Sequence, residues 1–380
     1  MPLSRGQRTR SLAAAIASIT ALGVTLGLTL PLLSLALEAR GHSSTMIGLN
    51  ATAQFLGILV FSPRVPWLIA RFRILPVMAV AVAASVAALA LFPFLDWLVV
   101  WFALRFVLGC AEGALFICGE TWINEIAGDR SRGRIIGVYG TFLAAGLAVG
   151  PLIIEVTGVG GARPFLVGAA LIALALPPLF LARGLTPHFE GRPSRSLWQL
   201  SRLVPVVAVA AIAFGWLDSG AFTLLPLYGV DIGMTPAAAA RLVTVLAVGG
   251  IALLFPIGWL ADRMDRTRLL GGIAALGALA LAATPALSTT PIALHAALFV
   301  IGGVIGGLWT LSLVVLGERF AGPDLAAMNV VTAMLYGLGS TIGPSLLGVA
   351  MSAWPPHGLM AAMAAAFVAV ASFALTRKQS

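Results

Sequence analysis

Charge is what this chain has least of: only 10% of its 380 residues are Asp, Glu, Lys or Arg, against about a quarter in soluble globular proteins. With 60% of the residues hydrophobic, that scarcity excludes a soluble domain of ordinary composition. Cysteine is nearly absent. Cys110 and Cys118 fall on one expected helix, about 12 Å apart at 1.5 Å per residue, too far for a disulfide, so they read as packing residues and leave the redox compartment open. The four histidines, His42, His188, His295 and His357, are scattered singly with no metal-ligand spacing. No Gly-rich loop with a following Lys–Ser/Thr pair appears, which excludes direct drive by ATP. Nothing suggests covalent catalysis, so no cofactor, no metal and no enzymatic activity are expected.

What the chain does have is length of apolar run, with a mean hydropathy of +1.02. Stretches of about 20 apolar residues, enough to cross a hydrocarbon core as a helix, recur from Ala13 to the C-terminus. Their interruptions predict helices near 12–37, 45–69, 74–95, 97–122, 134–157, 163–183, 203–229, 237–261, 268–287, 291–316, 326–350 and 358–376. Arg5, Arg8 and Arg10 precede the first, whose apolar stretch exceeds the 7–15 residues of a signal-peptide core, so it reads as a retained span. The net charge of +9 could suggest nucleic acid in a soluble protein, and the placement of the charges decides against it. With the N-terminus inside, Arg64, Arg71, Arg73, Arg130, Arg134, Arg183, Arg192, Arg195, Arg202, Arg319 and most other basic residues fall at cytoplasmic ends, and only Arg40 and Arg163 fall clearly outside. This is the positive-inside pattern. It predicts a multi-pass protein of the cytoplasmic membrane with both termini inside and a lipid bilayer as its surroundings.

The chain also repeats itself. "FVLGCAEGALF" from Phe106 and "FVIGGVIGGLW" from Phe299 align without a gap at an offset of 193. The same offset carries Glu125 onto Glu318, "GLAVGP" (Gly146–Pro151) onto "GSTIGP" (Gly339–Pro344), and Pro63 onto Pro256. Two homologous six-helix halves, 1–183 and 203–380, are therefore expected, joined by a polar cytoplasmic connector at 184–202. An even number of spans per half keeps both halves in one orientation. Parallel repeats of this kind resemble the plan of major-facilitator transporters, a resemblance that implies a substrate site near the midplane between halves that alternately open.

Several motifs strengthen this picture. "PIGWLADRMDRTR" after the eighth span carries Gly258, Asp262, Arg263, Arg266 and Arg268. It resembles the cytoplasmic loop motif of the major facilitator superfamily, in which Gly permits close helix approach and the acid holds the opposing charges in one state. The matching loop of the first half, "SPRVPWLIARFR", has Val65 and Ile69 where Gly and Asp would stand. Glu125, Arg132 and Glu318 resemble the family's charged signature at the ends of the fourth and tenth spans and complete a set of inner-gate residues; a solvated loop that merely obeys the charge rule is the plainer alternative. "RFVLG" (Arg105–Gly109) resembles the fourth-helix motif. Gly146, Gly150 and Pro151 resemble the fifth-helix motif of proton-coupled exporters, although small residues four apart, repeated at Gly339, Gly343 and Pro344, also serve plain helix packing. The resemblance covers the whole chain. It implies an all-α membrane protein with twelve transmembrane helices in two pseudo-symmetric six-helix bundles, and bacterial secondary active transport of a small-molecule substrate.

Within the fourth span, Arg105, Glu112 and Glu120 recur at helical spacing, so they are expected on one face. An ion at the bilayer centre costs roughly 2.5–3.5 kcal/mol on insertion scales, so that face is expected to look into a cavity rather than lipid. Burial and a neighbouring guanidinium act oppositely on a carboxyl, which suits a proton carrier; a static Arg–Glu pair is the structural alternative. Asp218, with Trp216 beside it in the seventh span, is the second candidate for proton or cation handling, against a capping role at a helix break. Thr25, Asn50, Gln54, Trp309, Asn329 and Tyr336 are neutral candidates at cavity depth. The mechanism expected is proton-coupled export of an amphipathic compound by a monomer. Uptake of an organic anion or metabolite held by Arg105 is the alternative within the family, and a membrane-embedded sensor or enzyme the alternative outside it.

Overall fold

A computed structural model describes residues 5–126, 132–182, 205–320 and 322–376. Among the described residues helices dominate, and twelve are long and apolar enough to cross a membrane. In chain order these spans are Arg10–Glu38, Ser44–Phe72, Ile74–Phe94, Leu98–Ile123, Gly137–Thr157, Arg163–Leu181, Pro205–Asp231, Pro236–Ala261, Arg266–Leu287, Pro291–Arg319, Met328–Ala353 and Gly358–Thr376. Each lies within a few residues of its position expected from hydropathy. A helix is forced at this depth because hydrocarbon offers backbone N–H and C=O groups no partner outside the segment. The expected connector at 184–202 lies outside the described residues.

The chain divides into two compact units, Met1–Ala36 with Ala53–Gly191, and Leu37–Thr52 with Arg192–Ser380. The start of the second span thus packs with the later part of the chain, while the boundary at Gly191 and Arg192 falls within the stretch 184–202. The cause of that packing is a run of small and hydroxylated residues. A Cβ on Gly48 would overlap the carbonyl of Pro344, and one on Gly348 would overlap that of Ser44. Thr45 Oγ1 donates to Ser352 Oγ at 2.9 Å, and Thr52 Oγ1 to the Thr341 carbonyl at 2.9 Å.

The repeat seen in the sequence recurs in how helices cross inside each unit. In the first, a Cβ on Gly109 of the fourth span would overlap the Gln54 carbonyl of the second; in the other, a Cβ on Gly302 of the tenth would overlap the Leu246 carbonyl of the eighth. Gly146 and Gly150 bring the fifth span onto the first, and Gly339 and Gly343 bring the eleventh onto the seventh. All three glycines of the first half map onto their counterparts by the offset of 193. Helix interruptions obey it too: the second span tightens into a 3-10 turn at Ser62–Arg64 and the eighth breaks at Leu253, next to the paired prolines 63 and 256. Pro151 has no N–H for the Leu147 carbonyl, and that carbonyl faces Gly27 of the first span, where a Cβ would overlap it.

These crossings give a direct test. Gly109→Ala and Gly302→Ala each push a methyl group into a backbone oxygen, an overpacking cost of about 1–3 kcal/mol, whereas Gly272→Ala meets no atom within 4 Å. The first two are expected to lower the melting temperature of the purified protein by about 2–12 °C. Gly272→Ala is expected to leave it unchanged or raise it, alanine being the better helix former. Equal melting of all three would contradict this packing scheme.

Candidate functional site

The fourth span presents Arg105 and Glu112 seven residues apart, so they share a face about 10 Å apart along the axis. Neither is open to solvent: Arg105 is 0% and Glu112 1% exposed, so the face expected to line a cavity is enclosed in this conformation. Gln54, from the second span, stands between the two charges. Its Nε2 donates to both carboxylate oxygens of Glu112, at 2.8 and 3.0 Å, and to Thr29 Oγ1 at 3.2 Å. Its Oε1 accepts from Arg105 Nη1 at 3.3 Å. Only this orientation of the amide serves both neighbours, because a flipped amide would set oxygen against carboxylate and N–H against guanidinium. Hydrogen bonds to charged groups contribute about 1.5–3 kcal/mol each, which is the scale needed to offset the insertion cost of the ions.

The network is unevenly satisfied. Among the described residues Arg105 Nε and Nη2 have no hydrogen-bond partner; outside the network, neither side-chain amide atom of fully buried Asn50 has one either. Thr25 is buried but closed on its own helix, donating to the Ala21 carbonyl at 2.7 Å. Glu120, expected on the same face, is exposed. Eight residues at 3.6 per turn carry it about 80° around the helix from Glu112, so the three acidic and basic groups do not form one stripe.

A second polar cluster lies in the other unit. Asp218 Oδ2 accepts from Tyr336 Oη at 3.4 Å. The Tyr336 ring stacks on Phe214 at 5.1 Å between centroids, and Trp309 meets Phe214 at 5.4 Å and Tyr336 at 5.8 Å. The seventh, tenth and eleventh spans each contribute to this packet. Trp216 Nε1 is buried without a hydrogen-bond partner among the described residues. Asn329 is exposed. Two members were missed in the sequence, Thr29 and Phe214, although each lies four residues from a named candidate, Thr25 and Asp218, on the same helical face.

The loop after the eighth span departs from its expected construction. A Cβ on Gly258 meets nothing within 4 Å among the described residues in this conformation. Asp262 is exposed. The acid that organises the loop is Asp265, which caps the ninth span by accepting from the Arg268 backbone N–H at 2.7 Å. Arg263 lies over the Trp259 ring at 3.8 Å, and Arg266 pairs with Glu318 at the end of the tenth span. That pair is part-exposed and contributes about 0–1 kcal/mol. The Glu125 and Arg132 side chains lie outside what the structure describes.

The Major Facilitator Superfamily model matches residues 13–243 and 207–380, almost the whole chain between them. The chain belongs to this superfamily of secondary transporters. Among curated relatives, the uncharacterised MFS-type transporter YfkF of Bacillus subtilis (strain 168) is 26% identical over 331 residues, 85% of this chain and 84% of its own length. The uncharacterised MFS-type transporter YcaD of Escherichia coli O9:H4 (strain HS) is 27% identical over 329 residues, 82% of each. Among solved structures, a bacterial homologue of the human lysosomal transporter Spinster, inward-facing and occupied, superposes with a TM-score of 0.81 at 14% identity, covering 98% of this chain and 94% of that one. A D-xylose–proton symporter gives 0.74 at 13% identity over 96% of each chain. At these identities the solved structures speak for the fold alone, and the major facilitator fold is the one this chain adopts.

The Gln54 bridge can be tested within that fold. Gln54→Leu leaves Glu112 and Arg105 buried without their shared partner and is expected to destabilise by about 3–6 kcal/mol, about 1.5–3 kcal/mol for each of the two charged groups that lose it. Adding Glu112→Gln should relieve part of it, giving a non-additivity above about 1 kcal/mol. Additive effects on thermal unfolding would show that the two side chains do not act together.

Proposed function

We propose that this major facilitator protein is a proton-coupled antiporter of the bacterial cytoplasmic membrane that exports a small amphipathic organic solute by alternating access. The observation that carries this reading is the enclosed Arg105–Gln54–Glu112 network. An acid at membrane depth is expensive to keep ionised and is a functional candidate by default. Here its charged form is held by an amide that also serves a guanidinium. Adding a proton to Glu112 removes one negative charge and turns one carboxylate oxygen into a donor, so Gln54 can no longer donate to both oxygens. The two protonation states therefore favour different arrangements of the second and fourth spans, which is what coupling requires: a ligand shifts a conformational equilibrium only through differential affinity for its states. Arg266–Glu318, with Asp262, Arg263 and Arg268 beside it, is assigned to the inner gate together with Glu125 and Arg132. The basic residues at alternate loop ends support cytoplasmic termini.

One observation favours a second reading. Among the described residues Arg105 keeps Nε and Nη2 unpartnered though fully buried, and a guanidinium edge of this kind receives a carboxylate; this supports uptake of an organic anion in symport.

The discriminating experiment uses the full-length protein in liposomes. Glu112→Gln is expected to abolish transport driven by a pH gradient, at least about 100-fold as for loss of an essential proton-transfer group, while solute exchange without a gradient persists. Gradient-driven flux at the parental rate would remove Glu112 from coupling. Inward rather than outward flux of solute with protons would decide for the symport reading.

A further inference from the structure

Glu112 and Asp218 are both acids at membrane depth, but their surroundings differ in kind. Glu112 is held by Gln54 and, through it, by Arg105. Asp218 accepts one long hydrogen bond, 3.4 Å, from a neutral phenol, and among the described residues no Lys, Arg or His forms an ion pair with it. A carboxylate in an apolar bundle needs a positive partner or a proton. What surrounds Asp218 is suited to the first. Phe214, Trp309 and Tyr336 gather their rings within 5.1–5.8 Å of one another. The negative faces of such rings attract a cation, Trp most strongly. The rings and Asp218 are part-buried rather than sealed, so faces remain for a ligand to cover.

The packet is also held in register by the backbone. A Cβ on Gly215 would overlap the Tyr336 carbonyl, so the seventh and eleventh spans touch where Asp218 and Tyr336 meet. Phe214 and Asp218 project from the seventh span one turn apart. Site groups mounted on touching helices are placed before the ligand arrives, which cuts the ordering cost of binding.

We propose that Asp218 with Phe214, Trp309 and Tyr336 forms a binding site for a lipophilic organic monocation, the positive centre lying against the carboxylate and an apolar or aromatic body against the rings. This names the substrate class within the export reading above and rests on it for transport, though not for binding. It also divides the labour of the two acids: Glu112 carries the proton and Asp218 meets the solute. An anion is disfavoured by the same carboxylate, and a neutral solute leaves that carboxylate without a function.

Two ions of nearly equal shape and opposite charge test the site. Equilibrium binding of tetraphenylphosphonium and of tetraphenylborate is measured on the purified full-length protein in detergent, with protein-free micelles subtracted. The cation is expected to bind at least about tenfold more tightly, and Asp218→Asn to cost it about tenfold or more. Trp309→Leu should weaken cation binding by roughly 3- to 30-fold while Trp309→Phe largely restores it, since only the aromatic face is kept. Unfolding profiles matching the parent exclude misfolding as the cause. Equal or tighter binding of the borate, or full phosphonium affinity in Asp218→Asn, would overturn the proposal, as would loss of proton-driven flux in Asp218→Asn with that affinity intact. Binding needs no gradient, so the two readings fail separately. Asp218-dependent phosphonium binding without proton-driven flux would sink proton coupling and leave the site standing. Proton-driven flux of solutes regardless of charge would do the reverse.

Discussion

The second and fourth spans are joined by one side-chain amide that hydrogen-bonds two opposite charges at once. Without Gln54, Arg105 and Glu112 would be two ions enclosed in an apolar bundle with no hydrogen bond between them, each penalised by several kcal/mol. With it, the pair is tolerated in one protonation state and disturbed in the other. The closeness this requires comes from Gly109, whose missing side chain lets the fourth span rest on the Gln54 carbonyl itself. The same residue thus supplies the backbone surface of the helix crossing and the side chain of the polar bridge.

That economy recurs through the molecule. Transmembrane helices have little hydrophobic reason to prefer one another over lipid, so backbone proximity through small residues does much of the packing. Duplication preserved these crossings while releasing the side chains around them. Gly109 and Gly302 occupy equivalent crossings, yet a charged network lies beside the first, whereas the second unit carries its aromatic packet with one acid where the seventh span touches the eleventh. Two units with the same backbone plan have therefore acquired different chemistry, and the division between proton and solute sites proposed above follows that line.

The twelve spans, the duplication and the glycine crossings were legible in the sequence because they depend on local runs and on a single fixed offset. The positions of Arg105, Glu112 and Asp218 as polar groups at membrane depth were legible for the same reason, since charge is rare enough in this chain to stand out. What lay beyond reach was register between helices. Gln54 could be named as a polar residue at depth, but that it faces Glu112 rather than Asn50's surroundings depends on how the second span rotates against the fourth. The face assigned to Glu120 failed on accumulated angle, a small error per turn that grows over eight residues. In the loop after the eighth span, family resemblance drew notice to Gly258 and Asp262, while the cap that Asp265 forms before "RTRLL" was a further local signal that went unread.

The central claim is that Glu112 changes its protonation state within the range over which the protein works. Difference infrared spectroscopy of the full-length protein in lipid, titrated across the physiological range and assigned with Glu112→Gln, reads the carboxyl stretch directly. The account predicts a protonated-carboxyl band that grows as pH falls and is missing from the variant. A Glu112 carboxyl that holds one protonation state throughout that range would contradict it.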